Sequence, residues 1–330
     1  MLWIEKYRPS SFEEVFGQEQ VISRLEHAAL EGNVPHLLFT GPAGTGKGAA
    51  AECLARRLYG ESWGENTTII QTSDLFEQGK KYLERNDRYT HIYRREESLL
   101  TNFKNITRWY ASIRPLDADF RLLILEGASA LPREAQQGLR RIMERYSRTC
   151  RFIYVTKRPS AIIPAISSRC LPFFFSPIRS EVVDARLRSI LSTEYPSGCC
   201  LTDDDIELIV QAAAGDLRKA IMLLQVSTSA EGNLVRCSQT ETSQIAQAAL
   251  QAIISRDVPA AIRRFETLKI EYGLTSGEIL QEFRSTIRKD YNDPKVVSLL
   301  AETDYKILRC NNEYIQLNAM IARITQEIFS

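Results

Sequence analysis

Residues 36–60 read HLLFTGPAGTGKGAAAECLARRLYG, and this stretch decides the fold. Residues 36–40 form a short apolar run of strand type. The glycine-rich loop Gly41, Pro42, Ala43, Gly44, Thr45, Gly46, Lys47, Gly48 follows, and then a helix-like run free of Gly, Pro and β-branched residues. Strand, Gly-x4-Gly-Lys loop and helix in that order cradle a phosphate: backbone N–H groups curl around the anion, the lysine adds charge, and the helix amino terminus adds its dipole. The alternative is a glycine-rich turn with a chance lysine. Phosphate binding is the expectation.

The residue after the lysine should be Ser or Thr, whose hydroxyl holds Mg²⁺. Here it is Gly48. The apolar run 122–125 leads into Glu126, Gly127, Ala128 and Ser129, where an active P-loop ATPase presents one acid for the metal and another to activate water. Glu126 can take the first role with a longer arm; Gly127 cannot act as a base. General-base catalysis contributes about 10²–10⁴ in rate. These losses predict nucleotide binding, as ATP or ADP, with little or no turnover and weakened Mg²⁺ positioning. No metal-ligand cluster is expected.

Further strands are expected at 67–71, 122–125, 152–156 and 171–175. Strands separated by helical patterns imply βαβ units and a parallel sheet covered on both faces. Residues 77–115 are long for one connection and read as an elaboration of basic and aromatic helices. After Phe175 the strand signal fades. Ser176–Pro177 reads as a hinge into a small helical unit, and 227–242 as a polar linker. Beyond it the pattern is all helical. Cys310, Tyr314, Leu317, Ile321, Ile324 and Ile328 fall on one helix face. The expected domains are 1–176, 177–230 and 231–330.

The chain has 330 residues, 44% hydrophobic and 25% charged, a globular composition of two or three domains. No run approaches the roughly 18 apolar residues of a membrane span, and MLWIEKYRPSSF has no signal-peptide pattern. Seven cysteines, none in a CxxC pair, argue for a reducing intracellular compartment rather than a disulfide framework or zinc site. The net charge is +1, but 80–114 holds nine Lys/Arg against four Asp/Glu and 133–169 holds nine against two. Two basic stretches in a neutral protein suggest an anion-binding surface, with a solvated charged face as the alternative.

Six motifs in order resemble the replication factor C small-subunit family, the AAA+ sliding-clamp loaders of archaea and eukaryotes. They are Leu2-Trp3-Ile4-Glu5-Lys6-Tyr7-Arg8-Pro9, Phe16-Gly17-Gln18, the loop from Gly41 to Lys47, Leu139-Arg140-Arg141-Ile142-Met143-Glu144, the Ser168-Arg169-Cys170 signature at the end of 163–170, and Gly215-Asp216-Leu217-Arg218-Lys219-Ala220. The resemblance covers essentially the whole chain. It implies an AAA+ α/β domain, a small helical lid and an all-α C-terminal collar. Where the family carries its phosphate-loop Thr/Ser, acidic box and sensor asparagine, this chain has Gly48, 126–129 and Lys157. Ser168-Arg169-Cys170 and Arg218 are intact.

In the family, the arginine of Ser-Arg-Cys reaches the nucleotide of a neighbouring subunit. The resemblance therefore implies a subunit deficient in its own hydrolysis that supplies Arg169 as a trans arginine finger. Arg218 is expected at its own nucleotide. Implied partners are other replication factor C subunits in a hetero-oligomer, expected as a pentamer, the clamp PCNA and primer–template DNA. Localisation would be cytoplasmic in an archaeon or nuclear in a eukaryote. Arg133, Arg140, Arg141, Lys80 and Lys81 are the leading DNA-binding candidates, with Arg85 and Arg88 beside them. Ile106, Trp109 and Tyr110 share a helix face and loosely resemble half of a clamp-binding box, packing under the sheet being the alternative. The competing functions are an active ATPase with a rearranged site and an accessory clamp- or DNA-binding protein outside the loader.

Overall fold

Five short runs pair in one parallel sheet: β1 (Leu37–Thr40), β2 (Thr67–Gln71), β3 (Arg121–Glu126), β4 (Cys150–Thr156) and β5 (Leu171–Phe174), in the order β2-β3-β4-β1-β5. The structure, a computed structural model, describes residues 2–32, 34–115, 118–196, 201–229, 239–290, 293–307, 309–310 and 312–328. These fall into two compact units, 1–225 and 226–330.

Side chains alternate across the sheet, as the pleat requires. Leu38, Leu123, Leu125, Phe152 and Tyr154 enter one core with the helices Leu99–Ser112 and Arg133–Arg145. Leu37, Phe39, Leu122, Ile124, Ile153 and Val155 enter the other with Glu19–Leu30 and Lys47–Tyr59. Both faces are buried, which is why the strands read as nearly continuous apolar runs. β3 and β4 begin earlier than hydropathy suggests, because Arg121 pairs with Cys150 and continues the ladder.

Register sets the chemistry. Thr40 pairs with Thr156, and Glu126 pairs with Val155 and Gln71. The carboxyl ends of β1, β4 and β3 therefore lie side by side, bringing the glycine-rich loop, Lys157 and the Glu126–Gly127 turn to one edge.

Helices Ser180–Glu194, Asp203–Ala213 and Leu217–Ser229 follow the sheet. Thr202 and Asp205 form a capping box at the second. At Ser176 the chain is gripped by Gln18, whose Nε2 donates to the Ser176 carbonyl (2.7 Å) and whose Oε1 accepts from the Ser176 N–H (3.3 Å). The expected linker is shorter than 227–242: helices run to Ser229 and resume at Gln239, and 230–238 lies outside the described residues.

Among the described residues, the second unit packs five helices, Gln239–Ile254, Val258–Ile270, Ser276–Asp290, Pro294–Ile307 and Glu313–Glu327, around Phe265, Phe283, Leu317, Ile321 and Ile324. The expected stripe is corrected at its start. Asn312 caps the last helix by accepting from the N–H groups of Tyr314 and Ile315, so Cys310 precedes it and Tyr314 on its first turn is exposed.

Candidate nucleotide site and arginine groove

The loop after β1 is shaped by close approach. A Cβ on Gly44, at φ +61°, would sit 1.6 Å from Asp216 Oδ1, so only glycine lets the lid meet the loop here. Asp216 accepts the Lys219 N–H (2.9 Å) as a helix cap, and the Leu217 N–H donates to the Gly44 carbonyl (3.2 Å). Among the described residues, the N–H groups of 44–48 donate to no acceptor of the chain. A row of free amides at a helix start is a phosphate cradle.

Lys47 is buried, its amine donating to the Pro42 carbonyl and to Thr45 Oγ1. Burial pushes its pKa down to about 8; Lys157 and Arg218 act in the same direction and Asp216 opposes them. All three charges therefore act on its amine. Lys157 and Arg218 are exposed. A nucleotide's phosphates fit these residues: free amides, one buried amine and two exposed cations.

A divalent cation does not fit. Gly48 offers no hydroxyl, and a Cβ there would lie 2.3 Å from Glu126 Oε1 and 3.9 Å from an Arg8 guanidinium nitrogen. The Glu126 carboxylate thus occupies the volume of the missing side chain. Its other oxygen accepts from Gln71 Nε2 (2.6 Å). Arg8 is paired with the buried carboxylate of Glu52, one helical turn beyond Gly48. Gly127 adopts φ +68°, and a Cβ there would lie 2.0 Å from Ser73 Oγ. Among the described residues, no group of three or more His, Cys, Asp or Glu could hold a metal. Sequence reasoning found Gly48 and Gly127 but missed Glu52 and Gln71; a charged residue among the alanines of the loop helix was the available signal for Glu52.

A second feature lies apart from this loop. Arg133, Gln137, Arg140, Arg141 and Glu144 of one helix, with Ile163, Pro164 and Ala165, line an open groove of about 560 Å³. At its margin the Arg169 guanidinium donates to Glu144 Oε1 (2.7 Å) and the Ala165 carbonyl (2.9 Å). Arg140 shares the same oxygen (3.2 Å). These bonds, led by that from Arg140, hold the Glu144 carboxyl below the usual range. The groove joins Arg133, Arg140, Arg141 and Arg169, and neither Lys80 nor Lys81 lines it. Lys80 donates to the Arg95 carbonyl (2.8 Å), Lys81 is exposed, and Arg85 and Arg88 line a separate depression with Tyr82.

The aromatic face at 106–110 needs correction. Ile106 is fully buried in the core, and Tyr110 is half-buried with its hydroxyl on the Arg88 carbonyl (3.2 Å). Only Trp109 is exposed, stacked edge-on against His91 and Tyr110. Ile106 and Tyr110 turn inward to cover the sheet while Trp109 does not, so the three present no continuous exposed plug.

Among the described residues, no helix is long and apolar enough to cross a membrane. Residues 17–179 match the family model of the DNA polymerase III delta subunit, and 241–323 match the replication factor C C-terminal domain. The replication factor C small subunit of Haloarcula marismortui is 34% identical, covering 98% of this chain and 95% of that protein. Its counterpart from Archaeoglobus fulgidus is 35% identical over 98% and 97%. Among solved structures, a RuvB variant from Thermotoga maritima aligns with a TM-score of 0.54 at 18% identity, covering 86% of this chain and 91% of that one, a likeness of fold alone. Its architecture is an AAA+ P-loop domain with a helical lid and an all-α C-terminal collar, and with a third of its residues shared over nearly its whole length, the chain belongs to the replication factor C small-subunit family.

Proposed function

We propose that this chain is a nucleotide-binding, non-hydrolysing subunit of a clamp loader that supplies Arg169 to a neighbouring subunit's nucleotide. It assembles with other replication factor C subunits, as a pentamer, and helps load PCNA onto primer–template DNA. Residues 177–230 act as lid over the phosphate loop, and 231–330 act in oligomerisation. Arg133, Arg140 and Arg141 hold phosphates of DNA or of the neighbour's nucleotide, in contacts that are independent of sequence and weakened by salt.

The observation that carries this reading is the position of Arg169. Leu171 begins β5 opposite Leu37, and its N–H donates to the His36 carbonyl (2.8 Å). Arg169 therefore stands at the amino-terminal edge of the sheet, while its own phosphate loop leaves the carboxyl edge. β1 alone separates the two by roughly 13 Å, at about 3.3 Å per residue. With its guanidinium held by Glu144 and the Ala165 carbonyl, Arg169 stands at the edge opposite the chain's own phosphate loop. A guanidinium completing a neighbour's site contributes roughly 10³–10⁵ in rate.

The cis site supports the same division, because hydroxyl and second acid are both absent. ATP hydrolysis by the purified chain tests it. Turnover indistinguishable from buffer is expected, for wild type and Glu126→Ala alike. Turnover of ordinary AAA+ size that Glu126→Ala abolishes would establish a rearranged active site instead.

A further inference from the structure

Three departures at the carboxyl edge of the sheet fit one another. The volume beside Gly48 that would hold a metal-binding hydroxyl is taken by Glu126, with the Arg8 guanidinium 3.9 Å from the same point. That guanidinium is paired with Glu52, so the place of the hydroxyl is closed by a carboxylate and an ion pair. Gly127 leaves its acid's place to Ser73. The sensor position, meanwhile, has gained a charge. β4 ends at Thr156, in register with Thr40, so Lys157 leaves the sheet beside the first glycine of the phosphate loop. Among the described residues Lys157 forms no ion pair, and neither does Arg218.

We propose that this site takes its nucleotide as the metal-free polyanion, with Lys157 supplying beside the phosphate loop the positive charge that a divalent cation would otherwise bring. The inference rests on the nucleotide-binding reading above and deepens it. Lys47 lies in the phosphate loop, Lys157 follows the strand end paired with Thr40, and Arg218 follows Leu217, whose N–H donates to the Gly44 carbonyl. Such a site attracts the phosphates in proportion to their net charge. Mg²⁺ cancels two charges of the nucleotide, finds no hydroxyl at Gly48, and meets in Glu126 a carboxylate that already accepts from Gln71. It demands near-ideal octahedral oxygen ligation and gives up its waters reluctantly, and with Gly48 in place of a hydroxyl residue this site contributes one ligand fewer toward replacing them. Chelating the metal should therefore strengthen binding or leave it unchanged, the reverse of a P-loop site that ligates Mg²⁺.

The test is calorimetric titration of the full-length chain with ATP and with ADP, in excess MgCl₂ and in excess EDTA. The expected result is affinity in EDTA equal to or greater than that in Mg²⁺. Lys157→Asn, an exposed change that should leave the melting temperature in place, is expected to weaken binding in EDTA about tenfold. Affinity that falls tenfold or more in EDTA, or that is indifferent to Lys157→Asn, would overturn the inference while leaving nucleotide binding intact. Absence of binding under both conditions would overturn the inference and the nucleotide reading together.

Discussion

Gly127 stands where a P-loop ATPase carries its second acid. Its φ of +68° is a conformation that a side chain makes costly, and the place of its Cβ lies within 2.0 Å of Ser73 Oγ. Restoring the acid does not restore the geometry. Gly127→Glu should lower stability by about 1–2 kcal/mol, read by urea unfolding, and should release no phosphate from ATP. Hydrolysis by that variant at unchanged stability would contradict this account. At residue scale the sequence showed which side chains were missing. It could not show what fills the space, because the Glu126 contact depends on the pairing of Gln71 with Glu126 across two strands 55 positions apart.

At the scale of elements, local pattern carried most of the fold. All five strands lie where short aliphatic runs stand between helical stretches, and hydropathy misjudged only their ends. Arg121 and Glu126 belong to β3 because backbone ladders continue where apolar character stops. Periodicity also identified the face of Ile106 and Tyr110, but it cannot say whether a neighbouring sheet covers that face, and the sheet does. The Gln18 grip on Ser176 was likewise hidden, since it joins residues 158 positions apart. Gln18 is 5% exposed. Gln18→Ala strips both backbone groups of Ser176 of their partner where the lid leaves the sheet, and should cost about 2 kcal/mol. Denaturant unfolding measures it, and a loss near zero would show that the grip does not hold the lid.

In the whole first unit the phosphate loop and Arg169 stand at opposite edges of the sheet. The parallel sheet sends the phosphate loop, Lys157 and the Glu126 turn to its carboxyl edge. The groove helix Arg133–Arg145 packs on the opposite face from the phosphate-loop helix, with Arg169 entering from the amino edge of β5. A subunit so built can lose its own chemistry and still be required for a neighbour's. The order of motifs made that division legible in the sequence; the opposed edges, which come from strand register, did not show there.

Clamp- and DNA-stimulated ATP hydrolysis by the assembled loader, with wild-type chain and with Arg169→Ala, tests the central claim most directly. Arg169 is on the surface, so the variant should fold and assemble with a melting shift of about 2 °C at most. The site that Arg169 completes should lose roughly 10³-fold or more, leaving only the turnover of the remaining sites in an intact complex. Undiminished hydrolysis by an intact Arg169→Ala loader would contradict the account.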